Sequence, residues 1–143
     1  MQKGFDYIGV AVVGMCHDGN GKYLISRRGL GCRDEHGAWE PAGCGGVEHG
    51  ESLEDAVRRE VKEECGAIVL DIEFIGFREV FREIDGKKSH YIAFDFKVGI
   101  DTNEVRITEP DKCVELRWCA IDEIPEPLHS QFPFFLEKYK DVL

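Results

Sequence analysis

The chain has 143 residues, of which 43% are hydrophobic and 32% charged, with a formal charge of −10. That is enough chain for one hydrophobic core and too apolar for intrinsic disorder. The acid surplus argues against a general surface for DNA or RNA, which needs clustered cations, but leaves room for a small phosphorylated ligand held with metal ions.

Met1 to Asp6 lacks the basic start and apolar core of a secretory signal. Tyr7 to Cys16 (YIGVAVVGMC) is short, apolar and Val-rich, the pattern of a buried strand, and too short to span a bilayer. His17 to Gly21 (HDGNG) is a turn cluster, and Lys22 to Arg28 (KYLISRR) reads as a partner strand ending in two arginines. Residues 29–50 are rich in glycine and predict a long irregular loop, a kind of segment that tends to carry function.

Ser52 to Cys65 predicts a helix, with Ser52 and Asp55 at capping-box spacing and Gly66 as its stop. Ile68 to Arg82 and Ser89 to Ile100 predict two strands joined around Asp85-Gly86, a hairpin signal. In the second, Ile92, Phe94, Phe96, Val98 and Ile100 alternate, so one face is expected to be buried. Val114, Leu116, Trp118 and Ala120 alternate likewise, and Phe132, Phe135, Leu136 and Tyr139 follow at helical spacing. No repeat or linker interrupts residues 1–143, so a single domain is expected, of α+β or layered α/β/α class.

Six cysteines without a secretory signal point to reduced thiols and a cytoplasmic protein. Cys32, His36, Cys44 and His49 lie close in sequence, but their gaps match no structural zinc spacing, so scattered loop and core residues are the expected outcome.

The negative charge is clustered. Residues 45–66 and 101–127 hold most of the surplus. On a wheel of about 100° per residue, Leu53, Val57 and Val61 mark the buried side of the predicted helix, while Asp55, Arg58 and Lys62 face water. Glu60 and Glu64 nevertheless flank Leu53, with Glu63 beside them. Like charges this close to an apolar face are costly unless offset. A hard cation would offset them, and so would ordinary ion pairs with Arg58 and Arg59.

Gly45 to Ala67 (GGVEHGESLEDAVRREVKEECGA) resembles the Nudix box, G-x5-E-x7-R-E-U-x-E-E-x-G-U, where U is a bulky aliphatic residue. Gly45, Glu51, Arg59, Glu60, Val61, Glu63, Glu64 and Gly66 fall in place; at ordinary residue frequencies a chance match has a probability of about 10⁻⁵. Ala67 is smaller than the usual last residue, and Cys44 stands in the preceding loop where the family usually has glycine. The early strands, the arginine pair, Trp39-Glu40, the hairpin and Trp118 extend the likeness to small hydrolases of the MutT type over nearly the whole chain.

The resemblance implies an α/β/α sandwich with a mixed sheet and a loop–helix–loop box. It implies an enzyme that uses Mg²⁺ or Mn²⁺ to hydrolyse a nucleoside diphosphate linked to another group, with Glu60, Glu63 and Glu64 as metal ligands. Arg59 would orient these carboxylates, and Glu60 is one candidate for the general base, which families place differently. Gly45, Glu51 and Gly66 would support the loop and helix. Arg28 resembles a phosphate-contacting arginine. A distal carboxylate could come from Glu109, Asp111 or Glu115, with no choice among them from sequence.

Within the family, ADP-ribose pyrophosphatases usually carry a proline downstream of the box, where Arg82 and its neighbours have none. Tyr91 lies too far along for the tyrosine of dinucleoside polyphosphate hydrolases, and the signature of coenzyme A hydrolases is absent. Lys88 to Phe96 and Glu109 to Trp118 are similar to members that act on modified nucleoside triphosphates. The expected substrate is such a triphosphate, cleaved to monophosphate and pyrophosphate, with ADP-ribose or a nucleotide sugar as the alternative. A non-catalytic nucleotide sensor usually loses a box glutamate, and isoprenoid diphosphate isomerases share the fold but usually depart from the intact box. The expected partners are a small nucleotide, no nucleic-acid polymer and no membrane, in a monomer or homodimer.

Overall fold

The computed structural model describes residues 1–143. Strand β1 (Gly9–His17) pairs in parallel with β6 (Lys87–Ile100) along its whole length. On its other side β1 pairs first with β4 (Gly43–Gly46), antiparallel, and then at its end with β2 (Tyr23–Arg28). Strand β2 also carries β3 (Trp39–Pro41) and β7 (Cys113–Cys119), and β6 carries β5 (Val69–Ile84), completing a mixed seven-stranded sheet. The β5–β6 hairpin closes at Asp85 and Gly86, both at positive φ, as its sequence predicts.

Helix α1 (Leu53–Cys65) lies on one face of the sheet. The Ser52 hydroxyl accepts from the Asp55 N–H at 3.1 Å, and Gly66 ends the helix at φ +69° with its N–H on the Lys62 carbonyl. Val57 and Val61 pack there with Val12, Leu24 and Val98. Helix α2 (Phe132–Lys138) covers the opposite face, where Phe132, Phe135 and Tyr139 pack with Met15, Ile25 and Trp39. Sheet and helices thus form the expected sandwich.

Two expectations change. Residues 29–50 are not wholly irregular, because β3 and β4 form within them. Glycine hides this: at Gly43 an added Cβ would sit 2.8 Å from Val61, so the strand can lie this close to α1 only without a side chain. Strand β6 is buried on both faces, since Ala93 and Asp95 are as inaccessible as Phe96 and Val98. Asp95, with no exposed surface, receives two bonds from Arg78 (2.7 and 2.9 Å) and one from the Tyr139 hydroxyl. The pair, 17 residues apart in sequence, staples β5 to β6 beneath α2.

Candidate active site

Antiparallel pairing of Gly45 and Gly46 with Val12 and Ala11 delivers the box loop to the side of α1. Glu60 lies against Gly45 so closely that a Cβ there would be 2.0 Å from its carboxyl carbon. Only glycine at position 45 lets this carboxylate, 7% exposed, occupy its place on the apolar side of the helix.

Arg59 organises the box. Its Nε and Nη2 donate to the two Glu51 oxygens at 2.8 and 2.9 Å, Nη2 also donates to the Gly46 carbonyl, and Nη1 donates to Glu60 (2.7 Å) and Glu63 (3.3 Å). Loop, helix and three carboxylates are therefore tied to one guanidinium, whose pKa is driven up by these bonds, that to Glu51 first. Glu51, held by Arg59 and by the Glu48 N–H, is pushed down to about 2. Burial pushes Glu60 up, and Arg59 pulls it back.

Glu64 makes no hydrogen bond and is pushed up to about 8, first by burial, then by the charges of Glu60, Glu109 and Glu40. The metal-free folded chain therefore holds a proton on Glu64 between about pH 4.5 and 8 that the unfolded chain releases, and stability falls as pH rises through that window. His129 acts oppositely. Burial holds it down near 4, so the stability it contributes is lost as pH drops from about 6.5 towards 4. Thermal melts of the metal-free protein from pH 5 to 9 should fall between about pH 6.5 and 8 and level off above, and Glu64→Gln should flatten that fall. An unchanged slope in the variant would place the titrating group elsewhere.

As the side chains stand, no three His, Cys, Asp or Glu residues converge on one point. Glu63, more than half exposed, is turned to Arg59. The donor set nevertheless suits a hard divalent cation, because it consists of carboxylate oxygens only, and Glu64 sits among like charges with no cation bonded to it. The four residues weighed for zinc are not gathered. Cys32 donates to the Lys112 carbonyl, Cys44 to the Pro41 carbonyl, and His36 bonds the Cys32 carbonyl.

Of the three distal acids, Glu109 weighs most on Glu64, and it is itself paired with Lys112 at 3.5 Å. Glu115 is bonded to Arg117, and Asp111 packs against Gly29 and Gly31, its carbonyl accepting the Gly31 N–H. Glu40 is a further acid near Glu64 that its sequence context did not single out.

Arg28 reaches the site, but its donors are engaged. Nη1 donates to both Glu40 oxygens at 3.0 Å, and Nε and Nη2 donate to the Asp34 carbonyl and carboxylate. In this arrangement it steadies Glu40 and the 29–38 loop.

From the box a cavity of 610 Å³ runs across the α2 face of the sheet. Gly45, Gly46 and Glu64 of the box line it together with Arg82, Ser89 and Gln131. Part of the lining is braced by contacts invisible to local reading. Glu35, at φ +49°, accepts from Arg82 (2.7 Å), from the N–H and hydroxyl of Ser130, and lies 2.9 Å from His129, while Asp34 bonds both Arg28 and Arg82.

A family model described as NUDIX domain matches residues 8–139. The chain therefore belongs to the NUDIX domain family. Its structure resembles a crystal structure of a MutT NUDIX hydrolase from Burkholderia pseudomallei, with a TM-score of 0.79 and 27% identity over 92% of this chain and 98% of that one. Among curated proteins, an isopentenyl-diphosphate Delta-isomerase of Brevibacterium linens is 43% identical over 140 residues, 89% of this chain and 73% of that protein. A NAD-capped RNA hydrolase NudC of Pseudomonas aeruginosa is 32% identical over 88 residues, 62% of this chain and 29% of that protein. The chain spans about half the length, or less, of several curated relatives it matches. No helix is long and apolar enough to cross a membrane.

Proposed function

We propose that this chain is a Mg²⁺- or Mn²⁺-dependent hydrolase that cleaves a nucleoside triphosphate, modified forms included, to the monophosphate and pyrophosphate. The observation that carries this reading is the intact Glu60, Glu63, Glu64 and Arg59 set, of which Glu64 lines a cavity of nucleotide size. Glu60, Glu63 and Glu64 would hold the metal, with Glu109 as the distal acid. A bound divalent cation supplies charge neutralisation of the diphosphate and an acidified water.

The protein's own residues do the rest. Arg59 fixes the loop, Glu51 and Glu60 in one frame, so the carboxylates are placed before substrate arrives. Water adds across the broken phosphoanhydride bond, and its proton passes to a site carboxylate, Glu60 being the candidate. Arg28 would meet a phosphate by giving up part of its hold on Asp34 or Glu40. The reading is of a single domain over residues 1–143, cytoplasmic, monomeric or homodimeric, with no polymer or membrane partner.

The runner-up within hydrolases is ADP-ribose or a nucleotide sugar, and an intact box disfavours a silent nucleotide sensor. A second reading, an isoprenoid diphosphate isomerase, is favoured by the 43% identity to the Brevibacterium linens protein. A panel of nucleoside triphosphates, ADP-ribose, dinucleoside polyphosphates, nucleotide sugars and isopentenyl diphosphate, each with Mg²⁺ and with Mn²⁺, decides among them. The expected result is pyrophosphate release from one or a few triphosphates, at a kcat/KM at least about tenfold above the rest. Equal slow cleavage of everything defeats the triphosphate assignment, and turnover of isopentenyl diphosphate alone defeats the hydrolase.

A further inference from the structure

We propose that β5 is the seam of a homodimer. Two copies of the chain join edge to edge along this strand, antiparallel about a twofold axis, and together cover an aromatic stripe made of Phe74, Phe77 and Phe81. This surface lies outside the box and its cavity, so the proposal stands or falls apart from the choice of substrate.

Strand β5 ends the sheet on one side. At 16 residues it is far longer than a usual strand of about six. Its inner edge pairs with β6 from Val69 to Ile84. Its outer edge has no backbone partner: no backbone bond outside the ladders involves its residues. The side chains that reach its carbonyls are Arg58, at Val69, and Lys138, at Phe77. Exposed edges are ordinarily blunted by proline, lysine or bulges. The strand VLDIEFIGFREVFREI has neither proline nor lysine. Bulges at Leu70 and Ile75 bend its first half, but Gly76 to Ile84 runs in unbroken register with Asp95 to Lys87. That second half is a template for one more strand.

The side chains beside this edge are apolar. Phe74, Phe77 and Phe81 stand opposite Phe96, Phe94 and His90, on the α1 side of the sheet, where Phe94 and Phe96 pack in the core under α1. The helix does not cover the three rings, which are 54, 55 and 64% exposed. They are already ordered: Phe74 and Phe77 lie 6.4 and 6.3 Å from Phe94, and Phe81 stacks on His90 at 4.4 Å. Covering side chains that are held in advance costs little entropy. At ~200 Å² per phenylalanine, the exposed parts of the rings come to about 350 Å². Leu70 on the same strand and Ile8, just before the Gly9 partner of Tyr91, raise this to about 600 Å² per copy. A pair would bury about 1,200 Å², where stable interfaces begin.

A second copy meets both needs at once. It brings an open edge and an apolar stripe on one strand, and twofold symmetry satisfies each reciprocally. A helix on the stripe would leave the backbone edge open, and a nucleic acid would meet a chain of charge −10. Residues opposite each other in an antiparallel pair share a face, so the register that sets Phe77 against Phe81 of the second copy brings Glu79 opposite itself on the axis. Each Glu79 is bonded to His90 of its own chain at 3.1 Å, yet the like charges still cost something. The net charge of each copy also opposes association, and salt screens that repulsion. Arg78, Val80 and Arg82 alternate with the stripe and line the cavity from the other face, so the seam leaves the cavity open.

Sedimentation velocity of the full chain, from about 1 to 100 μM and at low and high salt, tests this. The expected result is a monomer–dimer equilibrium whose Kd falls about threefold or more as salt rises. Phe77→Glu and Phe81→Glu should each raise Kd at least about 100-fold while the chain stays folded by circular dichroism. Glu79→Gln should lower Kd about threefold. Phe134→Glu, on the similarly exposed phenylalanine of α2, should leave Kd unchanged. Amide exchange along β5 should slow as the dimer forms. A chain that stays monomeric at every concentration overturns the proposal, whatever else the stripe then binds. A dimer that survives both phenylalanine changes, or that Phe134→Glu breaks equally, has its interface elsewhere. A dimer whose β5 amides exchange as fast as the monomer's is not joined at this edge.

Discussion

Glu60→Gln and Glu64→Gln should each lower turnover by about 10³-fold, within the range for removing an essential proton-transfer or charge-bearing group. The fold should survive both. Glutamine keeps the volume of glutamate, and at position 60 its carbonyl can still accept from Arg59, which also retains its bidentate hold on Glu51. At position 64 the amide relieves a group that burial and three neighbouring acids already press towards neutrality. Steady-state rates with saturating triphosphate, together with melting curves, separate lost chemistry from lost structure. Near wild-type turnover in both variants would remove these glutamates from the mechanism.

The largest loss of stability is expected at Asp95→Ala. This carboxylate is wholly buried and balances an arginine that is itself mostly buried. Removing it leaves the Arg78 charge uncompensated and the Tyr139 hydroxyl without its acceptor. Breaking a buried pair from one side costs about 4 kcal/mol, a fall of roughly 12 °C in Tm for a chain of this size. Removing both charged partners, as Arg78→Met with Asp95→Leu, should cost less than the single change. Calorimetry of the three proteins checks this; a single variant that melts within 2 °C of wild type would show that the staple carries little load.

What could be read from sequence was what is local. The helix from Leu53 to Cys65, with Ser52 before it and Gly66 after it, is written in neighbouring residues. So is the turn at Asp85-Gly86. The wheel placed Glu60 on the apolar side because 3.6-residue periodicity suffices for that inference, and the structure buries it. The irregular reading of residues 29–50 failed because glycine carries no strand signal of its own. Gly43 to Gly46 is extended because β1 pairs with it and because α1 leaves room only for bare backbone.

The bracing around Arg82 was opaque for a related reason. Glu35 meets Ser130, and Arg82 meets Asp34, across 95 and 48 residues of chain. No spacing rule links such partners before the sheet order is known. Arg28 shows the complementary limit. Its place at a strand end was readable, but the commitment of its donors to Asp34 and Glu40 was not.

The pairing of Ala11 with Ala93 has a kinetic consequence. The floor of the cavity is a parallel contact between a strand near the start of the chain and one that follows most of it, with the entire box in between. Closing so large a loop is paid for in chain entropy before any contact returns it, so this part of the sheet forms late and slowly relative to the hairpin and the helix. A peptide covering the box alone would contain every motif residue and, of the cavity lining, only Gly45, Gly46 and Glu64. Binding competence is a property of the closed sheet, and it arrives and departs with the sheet as a whole.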